Sequence, residues 1–222
     1  MPIHEIKKRK IVAVIRNTTI DTIIPIAQAL RLGGVTALEI TMETPNAPQI
    51  IQRLRAECES DVLIGAGTVL DAETARTAIL SGAQFIFSPT VNKETIRMAK
   101  RYGVISVPGA MTPTEILQAY EAGADLIKVF PAHVLGPGYF KTVAGPLPHI
   151  PLMPTGGLHL GNAKEYMEAG AVAIGVGSTL VAAKQEVDSA SLFQLTERAR
   201  CLWNKWMLLN KWYNVKPASR PR

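Results

Sequence analysis

The chain has little cysteine: two residues in 222, Cys58 and Cys201. They have neither metal-ligand spacing nor the density of a disulfide scaffold, which excludes a stapled secreted domain and fits a reducing compartment. No apolar run reaches the roughly 18 residues that a membrane span needs. The opening MPIHEIKKRK lacks the apolar core of a signal peptide. A cytoplasmic location is therefore the expectation. No stretch rich in Gly, Ser or charge would act as a linker, so one large domain is expected. The four histidines, His4, His133, His149 and His159, are scattered, and no GxGxxG follows the first strand-like run. Neither a metal site nor a bound cofactor is expected.

Acidic residues are missing from the end of the chain. The formal net charge is +6, yet seven of the 24 Lys and Arg residues follow Glu197 with no acid among them. The other residues carry 17 basic and 18 acidic groups, a net of −1. Basicity thus belongs to the tail, which reads as a solvated helix end or, on a second reading, as a contact for nucleic acid or a membrane surface. The expected partners include neither of these.

What is present is a globular balance, 47% hydrophobic and 19% charged, sufficient for a sizeable core. A short apolar, β-branched run, a turn and a longer helical pattern recur along the chain. The strand candidates are IVAVIR (11 to 16), ALEIT (37 to 41), LIGAGTV (63 to 69), FIFSP (85 to 89), ISVPG (105 to 109), LIKVFP (126 to 131), PLMPTG (151 to 156) and AIGVGS (173 to 178). Asp21, Asp71, Asn92 and Thr112 stand where N-caps belong, and Gly33, Gly82, Gly103, Gly123 and Gly170 where helices stop. Eight βα units predict an α/β, single-domain (β/α)₈ TIM barrel, in preference to a doubly wound open sheet. The expected division is a barrel over 1–187 with a short N-terminal helix, a C-terminal helix over 188–213 packed on it, and a mobile tail over 214–222. Residues 192, 195, 199, 202, 206, 209 and 213 form that helix's apolar stripe. Its tryptophans, interspersed with lysines, suit core packing, a subunit contact or an interfacial helix.

In such a barrel the chemistry sits at the C-terminal ends of the strands. If the polar residue of each strand faces inward, Arg16, Glu39, Thr41, Thr68, Lys128, Thr155 and Ser178 converge on one mouth. Lys128 is the most demanding of them, because burying an ammonium is costly unless it is paired or neutral. One reading is a buried ion pair with Glu39. The other is an amine nucleophile that forms a Schiff base with a ketone, with Glu39 as base and proton shuttle for carbon–carbon cleavage. PTGG (154 to 157) and GVGS (175 to 178) read as tight turns or as a phosphate site built from backbone N–H groups. Arg16 reads as a strand-end arginine or as a cation for a substrate carboxylate or phosphate.

Taken together, LEIT with Glu39, GAGTV with Thr68, SP with Pro89, IKVFPA with Lys128, PTGG with Thr155 and GVGS with Ser178 resemble one family. It is that of the 2-keto-3-deoxy-6-phosphogluconate and 4-hydroxy-2-oxoglutarate aldolases, and the likeness spans residues 11 to about 182. The resemblance implies a class I aldolase, a homotrimer of barrels, cleaving a keto-deoxy sugar acid phosphate to pyruvate and glyceraldehyde 3-phosphate. It implies Lys128 as the Schiff-base lysine and Glu39 as the general acid/base. Thr68, Pro89, Phe130 and Thr155 then line the pyruvyl portion, and Gly156, Gly157, Gly177 and Ser178 the phosphate end. One position departs: where several members carry a carboxylate-binding arginine, this chain has Glu43, and Arg16 is expected to supply that cation. No role is assigned to His133. The competing functions are an isomerase on a phosphate-binding barrel and a non-catalytic barrel acting through its basic aromatic tail.

Overall fold

Among the described residues every strand is five residues or shorter, and every strand pair is parallel. The computed structural model describes residues 3–182 and 187–213, the last seven as backbone only. The expected mobile tail over 214–222 lies outside the described residues.

Helix α1 (His4–Arg9) leads into β1 (Ile11–Ile15), α2 (Ile23–Leu32), β2 (Ala37–Thr41), α3 (Ala47–Glu57), β3 (Leu63–Gly67) and α4 (Ala72–Leu80). There follow β4 (Phe85–Phe87), α5 (Lys93–Arg101), β5 (Ile105–Val107), β6 (Gly109–Ala110), α6 (Pro113–Glu121) and β7 (Ile127–Val129). The chain continues through α7 (Ala132–Ala144), β8 (Leu152–Pro154), α8 (Ala163–Glu168), β9 (Ile174–Val176) and α9 (Ser189–Tyr213). Six strands form a curled parallel sheet in the order β5-β4-β3-β2-β1-β9, and three form a second sheet, β6-β7-β8. At one seam Asp125 N–H donates to Ser106 O (3.0 Å); at the other, Val172 N–H donates to Leu152 O (3.0 Å) and Thr155 bridges Gly175.

Three sequence expectations need correction. The single strand read over 105–109 is broken at Pro108, which has no N–H for a ladder; β5 pairs with β4, and β6 pairs with β7. The strands also end sooner than the apolar runs, so Arg16, Thr68, Pro89 and Ser178 lie beyond them. Finally, Asp21 is not an N-cap: α2 starts after Thr22, whose hydroxyl is engaged with those of Thr18 and Thr19. The other three caps are as read, Asp71, Asn92 and Thr112 accepting from Thr74, Thr95 and Glu115 N–H, the last within a capping box.

Side-chain alternation along the strands builds two cores. Ile11, Ala13, Ile15, Leu38, Ile40, Ile64 and Ala66 face the helices in the larger one. Their alternates Val12, Ala37, Leu63, Phe85, Phe87, Ile105, Val107, Leu126, Met153 and Ala173 fill the concave interior, joined by Ile6 of α1. The same alternation puts Glu39 in phase with Ala37, Lys128 with Leu126 and Thr155 with Met153. All three polar side chains are buried.

Helix α9 packs along α2. Its stripe residues Leu195, Ala199, Leu202 and Trp206 are buried, and Thr196 Oγ1 donates to Ala29 O (3.1 Å). Gly33 ends α2 as expected, and Trp203 lies over the next residue, Gly34, at φ +90°. Two of the three tryptophans thus serve packing, leaving less of an aromatic face for an interfacial helix. A Cβ on Gly33 would stand 2.4 Å from Ala199 Cβ and 2.7 Å from Thr196 O. Gly33→Ala is therefore expected to lower stability by about 1–3 kcal/mol through overpacking, read as a lower urea midpoint at unchanged slope.

Candidate active site

Three neighbouring groups fix the strand that carries Lys128. The Asp125 carboxylate accepts from Ser106 N–H (2.8 Å) and Lys100 Nζ (2.6 Å), anchoring the entry to β7. Lys128 N–H donates to Pro108 O (2.9 Å), and Phe130 N–H to Ala110 O (3.1 Å). The side chain has no other direction available than the interior, where it is 3% exposed. Its Nζ lies 5.1 Å from the centre of the Phe130 ring and 5.7 Å from that of Phe87. Among the described residues it makes no hydrogen bond and no ion pair within 4.0 Å, so the tight ion pair with Glu39 is not formed.

Glu39 is fully buried, and neither of its carboxyl oxygens has a hydrogen-bond partner among the described residues. Burial pushes its pKa up, against the weaker pull of Lys128 and Arg16. Burial likewise pushes the Lys128 pKa down; Glu39 opposes this and Arg16 adds to it. Desolvation outweighs attraction on both sides, so both groups move toward neutrality. A neutral amine is the form that attacks a carbonyl, and a protonated carboxyl is the form that helps expel water from the adduct.

Thr155 follows β8 and is 5% exposed, with an unpartnered Oγ1. Its backbone ties β8 to the lysine strand: its N–H donates to Val129 O (3.0 Å), and its carbonyl accepts from Ala132 N–H (2.8 Å). The Phe130 ring lies against Gly156, where a Cβ would meet Phe130 Cε2 at 3.2 Å. Phe130 thus spans the distance between the amine and the glycine-rich loop.

Around the rim, the exposed Arg16 lays its guanidinium over Gly177, with Nη1 3.3 Å from where a Cβ would be. Gly177 and Ser178 follow β9, and Gly156 and Gly157, both at positive φ, come after β8. Thr68, at the end of β3, has φ +55°, a strained value for a β-branched residue. Met42 N–H to Gly67 O (2.8 Å) and Val69 N–H to Phe87 O (3.1 Å) hold it there. Pro89 is half-buried at the end of β4, its carbonyl 2.3 Å from where a Gly109 Cβ would be. Thr68, Pro89 and Ser178 share this rim without hydrogen-bonding Lys128 or Glu39.

Glu43 is exposed in a neighbouring cleft of about 450 Å³ that Thr68 also lines and Lys128 does not. His133, which the sequence left without a role, stands against Gly157, its Cβ 2.4 Å from where a Cβ there would be. Gly67 and Gly175 stood out in the sequence only within the GAGTV and GVGS runs. A Cβ on Gly67 would sit 1.7 Å from Glu39 Oε1, and one on Gly175 2.4 Å from Thr155 Oγ1.

Comparison with known proteins gives one answer. Residues 3–195 match the model of the KDPG and KHG aldolase family. The 2-dehydro-3-deoxy-phosphogluconate aldolase of Pseudomonas aeruginosa is 40% identical over 179 residues, covering 80% of each chain. The native KDPGal structure superimposes with a TM-score of 0.85 at 31% identity, over 90% of this chain and 96% of the other. The Legionella pneumophila KDPG aldolase, with pyruvate captured at low pH as a covalent carbinolamine, gives 0.80 at 28% identity, over 87% and 93%. This chain belongs to the KDPG and KHG aldolase family.

Proposed function

We propose that the protein is a class I aldolase for 2-keto-4-hydroxy acids of the 2-keto-3-deoxy-6-phosphogluconate type, acting through an imine on Lys128. The observation that carries this reading is the buried lysine whose pKa burial lowers, set in one interior with a buried carboxyl. Lys128 Nζ adds to the C2 ketone, and the carbinolamine loses water to give a protonated imine. Glu39, as carboxylate, takes the C4 hydroxyl proton. The C3–C4 bond breaks, its electrons pass to the iminium, and an aldehyde leaves. Glu39 returns the proton to C3 of the enamine, and water hydrolyses the imine to pyruvate and free lysine.

Thr68, Pro89, Phe130 and Thr155 enclose the pyruvyl portion in this reading, and Gly156, Gly157, Gly177 and Ser178 receive the phosphate. The position of Arg16 over Gly177 favours the phosphate end for this cation over the carboxylate end. The backbone bonds across both seams support closure of the two sheets into one (β/α)₈ barrel over 1–187, with α9 as an added outer helix. The family resemblance supports a homotrimer in the cytoplasm. No helix among the described residues is long and apolar enough to cross a membrane.

Borohydride added with pyruvate tests the chemistry: a stable mass increment on Lys128, with loss of activity, is expected. Turnover that ignores borohydride would instead favour an isomerase on the same phosphate loops. Keto-deoxy acids with and without phosphate, coupled to pyruvate detection, set the substrate.

A further inference from the structure

Three buried side-chain oxygens lack a hydrogen-bond partner among the described residues: Glu39 Oε1, Glu39 Oε2 and Thr155 Oγ1. Buried polar atoms are nearly always paired, so three in one interior need a reason. Two of them, Glu39 Oε1 and Thr155 Oγ1, lie against the bare Cα of a glycine in the neighbouring strand. Glu39 of β2 covers Gly67 of β3, where a Cβ would stand 1.7 Å from Oε1, 2.4 Å from Cδ and 2.5 Å from Cγ. Thr155 after β8 covers Gly175 of β9, where a Cβ would stand 2.4 Å from Oγ1. Neither glycine has a positive φ, so backbone conformation does not call for glycine at either place. Other strand glycines make different room: Gly65 for the Phe85 ring and Gly109 for the Pro89 carbonyl.

We infer that Gly67 and Gly175 are positioning residues, each keeping clear the space from which an unpartnered polar group on the adjacent strand, Glu39 or Thr155, meets the substrate. The inference rests on the reading of Glu39 as the proton shuttle. A methyl group on Gly67 displaces the end of a flexible side chain, which a change of rotamer can absorb. The fold then survives while the carboxyl leaves its place, and small displacements of a catalytic group cost large factors in rate. Thr155 is β-branched and stiff, so a methyl group on Gly175 turns its hydroxyl instead.

Two readouts on pyruvate separate position from folding. Borohydride trapping reports the imine on Lys128, and deuterium entering the pyruvate methyl group in D₂O reports proton transfer at C3. For Gly67→Ala the trapped adduct is expected to persist while exchange slows on the order of 100-fold. Exchange at the wild-type rate would overturn the inference. If Gly67→Ala loses the adduct as well, Glu39→Asp is added to it, because aspartate is one methylene shorter. Return of the adduct and of part of the exchange supports the inference, and no return overturns it. Slow exchange in Glu39→Gln beside normal exchange in Gly67→Ala defeats the inference alone; normal exchange in Glu39→Gln defeats the shuttle reading and this inference with it. For Gly175→Ala the pyruvate concentration giving half-maximal trapping is expected to rise about tenfold at unchanged maximal trapping; an unchanged value overturns that half.

Discussion

Replacing Lys128 by alanine removes borohydride trapping and aldol cleavage together, with kcat falling on the order of 10⁴-fold or more. The loss is large because no other described amine lies in the interior: Lys128 is the one lysine among the buried polar residues. Lys128→Arg is expected to be equally inactive, since a guanidinium stays protonated and cannot attack a ketone. Residual cleavage near the wild-type level in either variant, measured as pyruvate release, defeats the imine mechanism. Circular dichroism of the alanine variant should match the wild type, because truncation removes a costly buried amine rather than a packed anchor.

Glu39→Gln carries the second large effect. The imine still traps, but kcat falls by about 10²–10⁴-fold, the usual worth of a positioned acid–base group. Its effect on stability has the opposite sign. Burial raises the Glu39 pKa above the ordinary 4.5, so the folded state holds this proton more tightly than the unfolded chain does. The stabilisation is complete below pH 4.5 and is lost as pH rises through the folded value. Glutamine has no proton to lose, so the variant should gain on the wild type as pH rises. Lys128, lowered from 10.5, imposes a penalty that is absent above pH 10.5 and grows as pH falls toward the folded value. The pair Lys128→Met with Glu39→Gln, free of both costs, is expected to be more stable at pH 7 by about 1–4 kcal/mol. A melting temperature at or below that of the wild type would contradict the desolvation account.

The inward direction of Glu39, Lys128 and Thr155 was legible because a period of two fixes the face of every residue once one is known. The break at Pro108 was not, since a proline near a strand end looks the same whether the ladder stops or changes partner there. Gly67 and Gly175 were visible only as part of glycine-rich turns. Their clearance of Glu39 and Thr155 is a relation between strands, set by register that no single segment encodes. Arg16 over Gly177 belongs to the same kind, a meeting of β1 and β9 from opposite ends of the chain. Thr22 displaced Asp21 as the start of α2 because three neighbouring hydroxyls satisfied one another first.

Helix α1 enters the inner core through Ile6, fully buried among residues that include Leu126, two positions before Lys128 and just ahead of its strand. In the proposed mechanism the substrate, and the solvent that comes with it, approach from the opposite rim. Ile6 therefore acts as a plug at the other end of the interior, keeping that end apolar and dry. The desolvation that lowers the Lys128 pKa is thus supplied from below as well as by its neighbours at the mouth, and a polar residue in place of Ile6 would weaken it.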